Sequence, residues 1–418
     1  MDRIVSLGGL SVMIGLAVLL SSDRRRIPWR IVAIGVALQL ALATFMLLSP
    51  PGRQLAGLVD HFFARMQSWI SHGAGFLFDV NGWRDDATPP ANSLASTFAF
   101  GVLPTVIFFS SLMSVLYYLG IMQRVVAAMA KVMQQVMGVS GAESLSAAAN
   151  VFVGHTEAPL VIKPYIASMT RSELNAVMVG GFATISGGLM AAFVGMGINA
   201  GHLMTASVIS APAALVIAKI LQPETGAPET MGSVRLKAER QGVNVIEAAA
   251  IGATEGLKLA LNVGAMLIAF LAMIAMIDYL LGVAGGWLQF TGERRWTLAG
   301  GLGYLFAPLA WSMGIDWADC RGAGELLGIK MVANEFVAYS QLGEAIEGTR
   351  FSERTVTILT YALSGFSNFG AIGIQIGGIG GLAPNRQSDL AQLGLRAMLG
   401  GALACCMTAC IAGALIGG

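Results

Sequence analysis

Apolar runs long enough to cross a bilayer, which takes about 20 residues in a helix, alternate along this chain with short polar punctuation. Ile4 to Leu20 is followed by Asp23, Arg24, Arg25, Arg26 and Arg30. A secretory signal carries its basic residues ahead of the apolar run. Here they come after it, so the segment reads as a retained first helix with the N-terminus outside and the arginines in the cytoplasm. Ile31 to Leu48 returns outward, Phe98 to Leu119 crosses inward, Leu174 to Ile198 outward and Leu203 to Ile220 inward. Leu259 to Leu281, Val356 to Ile379 and Ala397 to Ile416 complete eight spans, leaving both termini outside.

The connections carry their own patterns. Residues 52–93 mix His61, Phe62, Phe63, Trp69, His72, Phe76, Phe78 and Trp83 with scattered charges, as expected of an amphipathic element at the outer interface. The Met- and Val-rich stretch to Met137 suits the inner surface, and Trp296 to Met313 is its apolar counterpart. Gln222 to Gly242, with Arg235, Lys237 and Arg240, is the longest polar connection. An amphipathic lead-in from Asn244 to Lys258 follows it. Glu293, Arg294 and Arg295 fall outside, where two arginines beside a glutamate oppose the positive-inside trend only weakly.

Two stretches break the apolar pattern. Ser144 to Ser168 contains Asn150, Val153, Gly154, His155, Thr156, Glu157 and Pro159, too interrupted to span. Lys163 and Arg171 follow it, and a re-entrant hairpin that starts and ends at the cytoplasmic face keeps both charges inside. Trp317 to Leu342 is the second such hairpin, and an odd number of crossings between the two gives them opposite orientation. An offset of 184 residues carries Ala149, Asn150, Phe152 and Val153 onto Ala333, Asn334, Phe336 and Val337, Gly181-Phe182 onto Gly365-Phe366, and Gly197 onto Gly381. One register for three separate matches favours an internal duplication over chance identities in a Gly- and Ala-rich chain. Glycine pairs bracketing Thr184, Ile185 and Ser186, and the run Gly365 to Gly370, predict broken helices after each hairpin. The expected fold is an all-α polytopic membrane protein of eight transmembrane helices and two oppositely oriented hairpins, arranged as inverted repeats.

Composition agrees. Of 418 residues, 55% are hydrophobic and 12% charged, against about 25% charged in soluble domains, and the mean hydropathy is +0.70. Cys320, Cys405, Cys406 and Cys410 have no metal-ligand spacing and read as small core residues. The 53 glycines suit close helix packing in lipid. No nucleic-acid partner and no cofactor is implied.

An ionisable group inside a membrane costs roughly 2.5–3.5 kcal/mol on insertion scales, so it is a functional candidate by default. Glu157 and Glu335 are two such groups, one in each hairpin. Paired inverted hairpins facing broken helices are the layout of a secondary transporter with its site at the repeat interface. Carboxylates and amides suit a neutral polyhydroxylated solute; an anion would call for Arg or Lys at the breaks. The competing reading pairs these glutamates with Lys163, Lys330 or freed backbone amides. His155 could contact substrate, relay a proton or bond the hairpin tip. Side-chain oxygens of Asn150 and Thr184 beside unwound carbonyls suit Na⁺, a hard cation, with hairpin capping as the alternative. An intramembrane hydrolase built on His155 and Glu157 would lack an accompanying HExxH or GxSxG. A channel is disfavoured by the inverted repeats.

The runs Glu143 to Asn150 continuing to Pro159, Ala260 to Phe270, Val332 to Ser340 and Gly365 to Phe369 closely resemble the concentrative nucleoside transporters over essentially the whole chain. The resemblance implies a homotrimer in the inner (plasma) membrane that takes up nucleosides with a coupling cation, Na⁺ or H⁺, by elevator-type movement of a transport domain against a scaffold. It implies a scaffold in residues 1–120 and 259–284, transport repeats in 121–221 and 285–418, and a cytoplasmic connection over 222–258. His155, Thr156 and Glu157 then fall where the family contacts the base, with Gly154 and Val153 at the hairpin tip, and Glu335, Asn368 and Ala371 where it contacts the ribose. Phe366 and Leu259 line the cavity, and Asn150, Thr184 and the carbonyls of Val153 and Ile185 form the sodium site. Two positions depart from the family pattern, His155 where Gln is common and Ala371 where Ser is common, which points to a modified nucleoside or related ribosyl compound as the alternative substrate.

Overall fold

The computed structural model describes residues 2–78, 97–232, 242–287 and 296–416. Trp83, Arg235, Lys237, Arg240 and the Glu293 to Arg295 run lie outside the described residues. Helices α1 (Asp2–Leu19) and α2 (Trp29–Leu48) are the first two expected spans, and α3 (Pro50–Phe78) is the amphipathic element. Phe63, Met66 and Ile70 form the buried stripe of α3, whereas His61, Phe62 and Trp69 are exposed. Then come α4 (Leu103–Tyr118), α5 (Ile121–Met137), α6 (Gly141–Ala149), α7 (Ala158–Val161), α8 (Lys163–Ile166), α9 (Arg171–Ala183), α10 (Gly187–Gly195) and α11 (Ala200–Leu221). The rest is α12 (Val245–Trp287), α13 (Leu298–Ser312), α14 (Trp317–Val332), α15 (Glu335–Glu347), α16 (Glu353–Leu363), α17 (Phe369–Leu382) and α18 (Gln387–Leu415).

Seven described helices, counting α9 with α10 as one, are long and apolar enough to cross a membrane. The expected span Val356 to Ile379 is α16 and α17, parted at residues 364–368, in the region where the glycines predict a break. A difference concerns α12. The lead-in expected to end at Lys258 and the span beginning at Leu259 are one helix of 43 residues. No proline interrupts it, and Lys258 and Glu255 pair along its exposed side at 2.7 Å. Asp278 Oδ1 accepts from Leu298 N–H at 2.6 Å at the start of α13. Helices α13 and α14 meet at 118°, so the apolar Trp296 to Met313 stretch does not continue as a straight span.

Buried polar contacts identify the two ends of the bundle. At one end Ser22 N–H reaches Leu221 C=O at 2.9 Å, and Lys219 sits 2.5 Å from Glu143 and 3.5 Å from Glu224. At this end the first hairpin both starts and finishes: Ser140 and Glu143 cap α6, Thr170 and Glu173 cap α9, and Thr230 bonds both Ala142 N–H and Glu173. Arg386 donates to the carbonyl of Met169 as the hairpin leaves. At the other end Arg354 bonds the carbonyls of Gly314, Gly413 and Ile416 and the hydroxyl of Ser6. The second hairpin starts and finishes here, where Asp319 of α14 accepts from Thr355 of α16 at 2.7 Å. The first end holds the C-termini of α1 and α11 and the second the N-terminus of α1 and the C-terminus of α18, so the hairpins point at each other from opposite sides.

Candidate substrate and cation site

The first hairpin turns between α6 and α7 at residues 150–157, where α6 stops at Ala149 and Pro159 falls in the first turn of α7, the place where its missing N–H is tolerated. Its tip lies along the break between α9 and α10. Phe152 C=O accepts from Gly187 N–H at 3.1 Å, and Gly154 packs on the Ser186 side chain, which leaves only van der Waals room for a Cβ. Asn150 packs beside Gly180 and His155 beside Gly181, so the glycine pair is the surface on which the tip rests. A Cβ on Gly181 would stand 2.8 Å from that of His155, so the close approach requires glycine.

Polar groups at this break are left open. Asn150 is 1% exposed, yet its Oδ1 has no hydrogen-bond partner. Among the described residues the carbonyls of Val153 and Ile185 accept no hydrogen bond either. Thr184 Oγ1 donates back to Gly180 C=O at 2.9 Å, which leaves its lone pairs free. Buried unpartnered oxygens are costly. Several together, held by an unwound helix, are what a dehydrated hard cation requires. Asn150 and Thr184 are the C-terminal caps of α6 and α9, and of the two side chains only the Thr184 hydroxyl bonds a carbonyl of its own helix.

His155 is nearly buried and both its ring nitrogens are unpartnered. Its ring meets Phe366 edge-on, centroids 4.4 Å apart, and Gln375 packs with it on Gly181. Thr156 and Glu157 are exposed, Thr156 toward Gly378 of α17, and Glu157 forms no ion pair among the described residues.

The second break is closed by comparison. Asn334 Oδ1 caps α15 by accepting from Val337 N–H at 3.0 Å. Asn368 Oδ1 caps α17 through Ala371 N–H at 2.8 Å, and Asn368 Nδ2 donates to Glu335 at 3.0 Å. Lys330 does not pair with Glu335; it donates to Ala362 C=O at 2.9 Å. Ala371 is buried and offers only a methyl group. From the α12 side Met266 and Phe270 approach Gly370, and Leu259 is half-buried on the same helix. The structure thus joins His155, Phe366, Glu335 and Asn368 around two facing breaks, with Asn150, Val153, Thr184 and Ile185 behind the hairpin tip. Sequence reasoning passed over Gln375, 1% exposed with an unpartnered Oε1 and its Nε2 on Met178 C=O at 3.3 Å. The only signal for it was a lone amide in the apolar run Ile372 to Ile379, one helical turn after Ala371.

Three family profiles cover most of the chain: Na⁺ dependent nucleoside transporter N-terminus over residues 8–81, nucleoside recognition (gate) over 99–200, and Na⁺ dependent nucleoside transporter C-terminus over 202–413. An uncharacterized transporter of Haemophilus influenzae is 44% identical, over 100% of this chain and 99% of its own length. The sodium/nucleoside cotransporter 1 of Mus musculus is 39% identical over 99% of this chain, which corresponds to 64% of the longer mouse protein. CNTnw in an inward-facing substrate-bound state superposes with a TM-score of 0.89 at 42% identity, covering 99% of this chain and 98% of that one. A variant of CNTnw in an outward-facing state gives 0.88 at 41% identity, over 99% and 98%. Family profiles along the chain, relatives aligned end to end and a shared fold with two inverted hairpins lead to one conclusion: the chain belongs to the Na⁺-dependent, or concentrative, nucleoside transporter family, a family of multi-pass membrane transporters and not of enzymes.

Proposed function

We propose that this protein is a Na⁺-coupled nucleoside symporter of the inner (plasma) membrane. Residues 121–221 and 285–418 move as a transport domain past a scaffold made of 1–120 and 259–284, in a homotrimer, with 222–258 as the cytoplasmic connection. The ribose hydroxyls bond Glu335 and Asn368, whose mutual hydrogen bond at 3.0 Å already sets their geometry. The base lies against Phe366 and meets Gly154, His155, Thr156 and Glu157. Na⁺ takes Asn150 Oδ1, the Thr184 hydroxyl and the carbonyls of Val153 and Ile185. The observation that carries the reading is the juxtaposition of an open polar break, with Asn150 Oδ1 and both His155 nitrogens unpartnered, and a closed one that presents a carboxylate. Neutral substrate and hard cation are the two ligands such a pair suits.

A modified nucleoside or related ribosyl compound is the second reading, favoured by Ala371, which gives a ribose hydroxyl no side-chain partner. Radiolabelled uptake into proteoliposomes with a competitor panel separates the two. Ordinary nucleosides should be taken up and should compete, and replacing Na⁺ with choline should abolish accumulation. Undiminished uptake in choline contradicts the sodium assignment and favours H⁺ coupling.

A further inference from the structure

The two helix breaks are not independent. A helix leaves its last carbonyls without intrahelical partners, and at the end of α9 two of these, those of Phe182 and Ala183, are served from outside its own repeat. Ser367 Oγ donates to Phe182 C=O at 2.8 Å. Cys405 of α18 directs its Sγ to Ala183 C=O at 3.6 Å and to Ser364 C=O at 3.4 Å. One thiol proton is therefore shared between the carbonyl ends of the two broken helices. Ser367 and Cys405 are both fully buried. The crossing is tight: a Cβ on Gly365 would come within 2.6 Å of both Phe182 C=O and Cys405 Sγ. Phe182 and Ala183 immediately precede Thr184 and Ile185, and Ser367 immediately precedes Asn368. The end of α16 does not need the reverse service, because Lys330 of its own repeat holds Ala362 C=O.

We propose that Ser367 and Cys405 are positioning residues that splice the two breaks, so that a cation ordering Thr184 and Ile185 also orders Asn368 for substrate. Neither residue touches cation or nucleoside. The inference rests on the sodium and ribose assignments above. A carbonyl that turns toward a bound cation shifts the short segment Phe182 to Ile185, and the Ser367 hydroxyl bonded to that segment carries the shift one residue along to Asn368. The Cys405 thiol keeps the two segments in register during this movement.

The test is the ratio of nucleoside dissociation constants without and with saturating Na⁺, measured by binding to the purified full-length protein. The parent ratio should stand well above one. Ser367→Ala and Cys405→Ala should each lower it about fivefold, within the usual range of coupling between sites. The loss should appear as weaker binding in Na⁺ with unchanged binding in choline. Cys405→Ser keeps a donor and should restore the ratio; should Ser367→Ala fail to fold, the comparison of Cys405→Ala with Cys405→Ser carries the test. A role in packing alone would move both dissociation constants together and leave the ratio at the parent value, and that result overturns the proposal. A parent ratio of one would overturn the sodium-coupled reading itself and this inference with it, so the two failures are distinguishable.

Discussion

At position 150 and at its counterpart 334 the chain places the same amide, the first at the C-terminus of α6 and the second at the N-terminus of α15. Asn334 Oδ1 accepts from a backbone N–H of the following helix, whereas Asn150 Oδ1 has no partner among the described residues. The same divergence separates Thr184 from its counterpart at the 184-residue offset, Asn368. The hydroxyl bonds within its own helix; the amide both caps α17 and grips Glu335. The two breaks therefore differ in hydrogen-bonding state. One is finished before any ligand arrives and can hold ribose hydroxyls in a fixed geometry. The other is unfinished, and an unfinished cluster of buried oxygens favours whatever binds it, which is the basis of coupling. On the proposed assignment, a few side chains divide the labour between ribose and cation.

The largest expected effect comes from the finished break. Glu335→Gln removes the charged acceptor of the Asn368 amide and of a ribose hydroxyl, and hydrogen bonds to charged groups are worth about 1.5–3 kcal/mol. Uptake efficiency should fall roughly 10- to 100-fold in initial-rate assays; wild-type rates would remove Glu335 from the ribose site. Next is the crossing. Gly365→Ala forces a methyl against Phe182 C=O and Cys405, and overpacking of this kind costs about 1–3 kcal/mol. Gly377→Ala meets open space and should leave thermal stability in detergent unchanged. Equal melting temperatures for the two variants would mean that the breaks are not tightly spliced. The smallest effect concerns specificity. His155→Gln with Ala371→Ser should move the competitor ranking toward ordinary nucleosides by about fivefold, the value of one neutral hydrogen bond near 1 kcal/mol. An unchanged ranking would show that these positions do not set specificity.

Much of this arrangement was legible in the sequence, because in an apolar chain polar residues and glycines stand out. Gly180-Gly181 and Gly365 marked the breaks, Pro159 marked the hairpin, and Glu157 and Glu335 marked the two halves. The repeat register placed one half against the other before any coordinates. What stayed hidden was the outcome of competition for hydrogen bonds. Nothing in the letters distinguishes Asn150 from Asn334, since both sit in an Ala-Asn context, and only the path of the chain after them decides whether the amide caps a helix. Cys405 reads as a small core residue until the crossing sets its sulfur between two carbonyls. The uninterrupted α12 was missed because charge at Glu255 and Lys258 resembles the end of a span, while a helix that projects beyond the bilayer carries such charges without breaking.

The central claim is that the open break takes the coupling cation and the closed one does not, and a Na⁺ titration of nucleoside uptake by Asn150→Ala and Asn334→Ala tests it most directly. Asn150→Ala should raise the half-saturating Na⁺ concentration about tenfold, the loss of one cation ligand worth near 1.4 kcal/mol. It should leave thermal stability close to that of the parent, since the amide oxygen has no partner to lose. Asn334→Ala should do the reverse, lowering stability by about 1 kcal/mol through the lost cap while half-saturation by Na⁺ stays at the parent value. Equal Na⁺ dependence in the two variants would contradict the account.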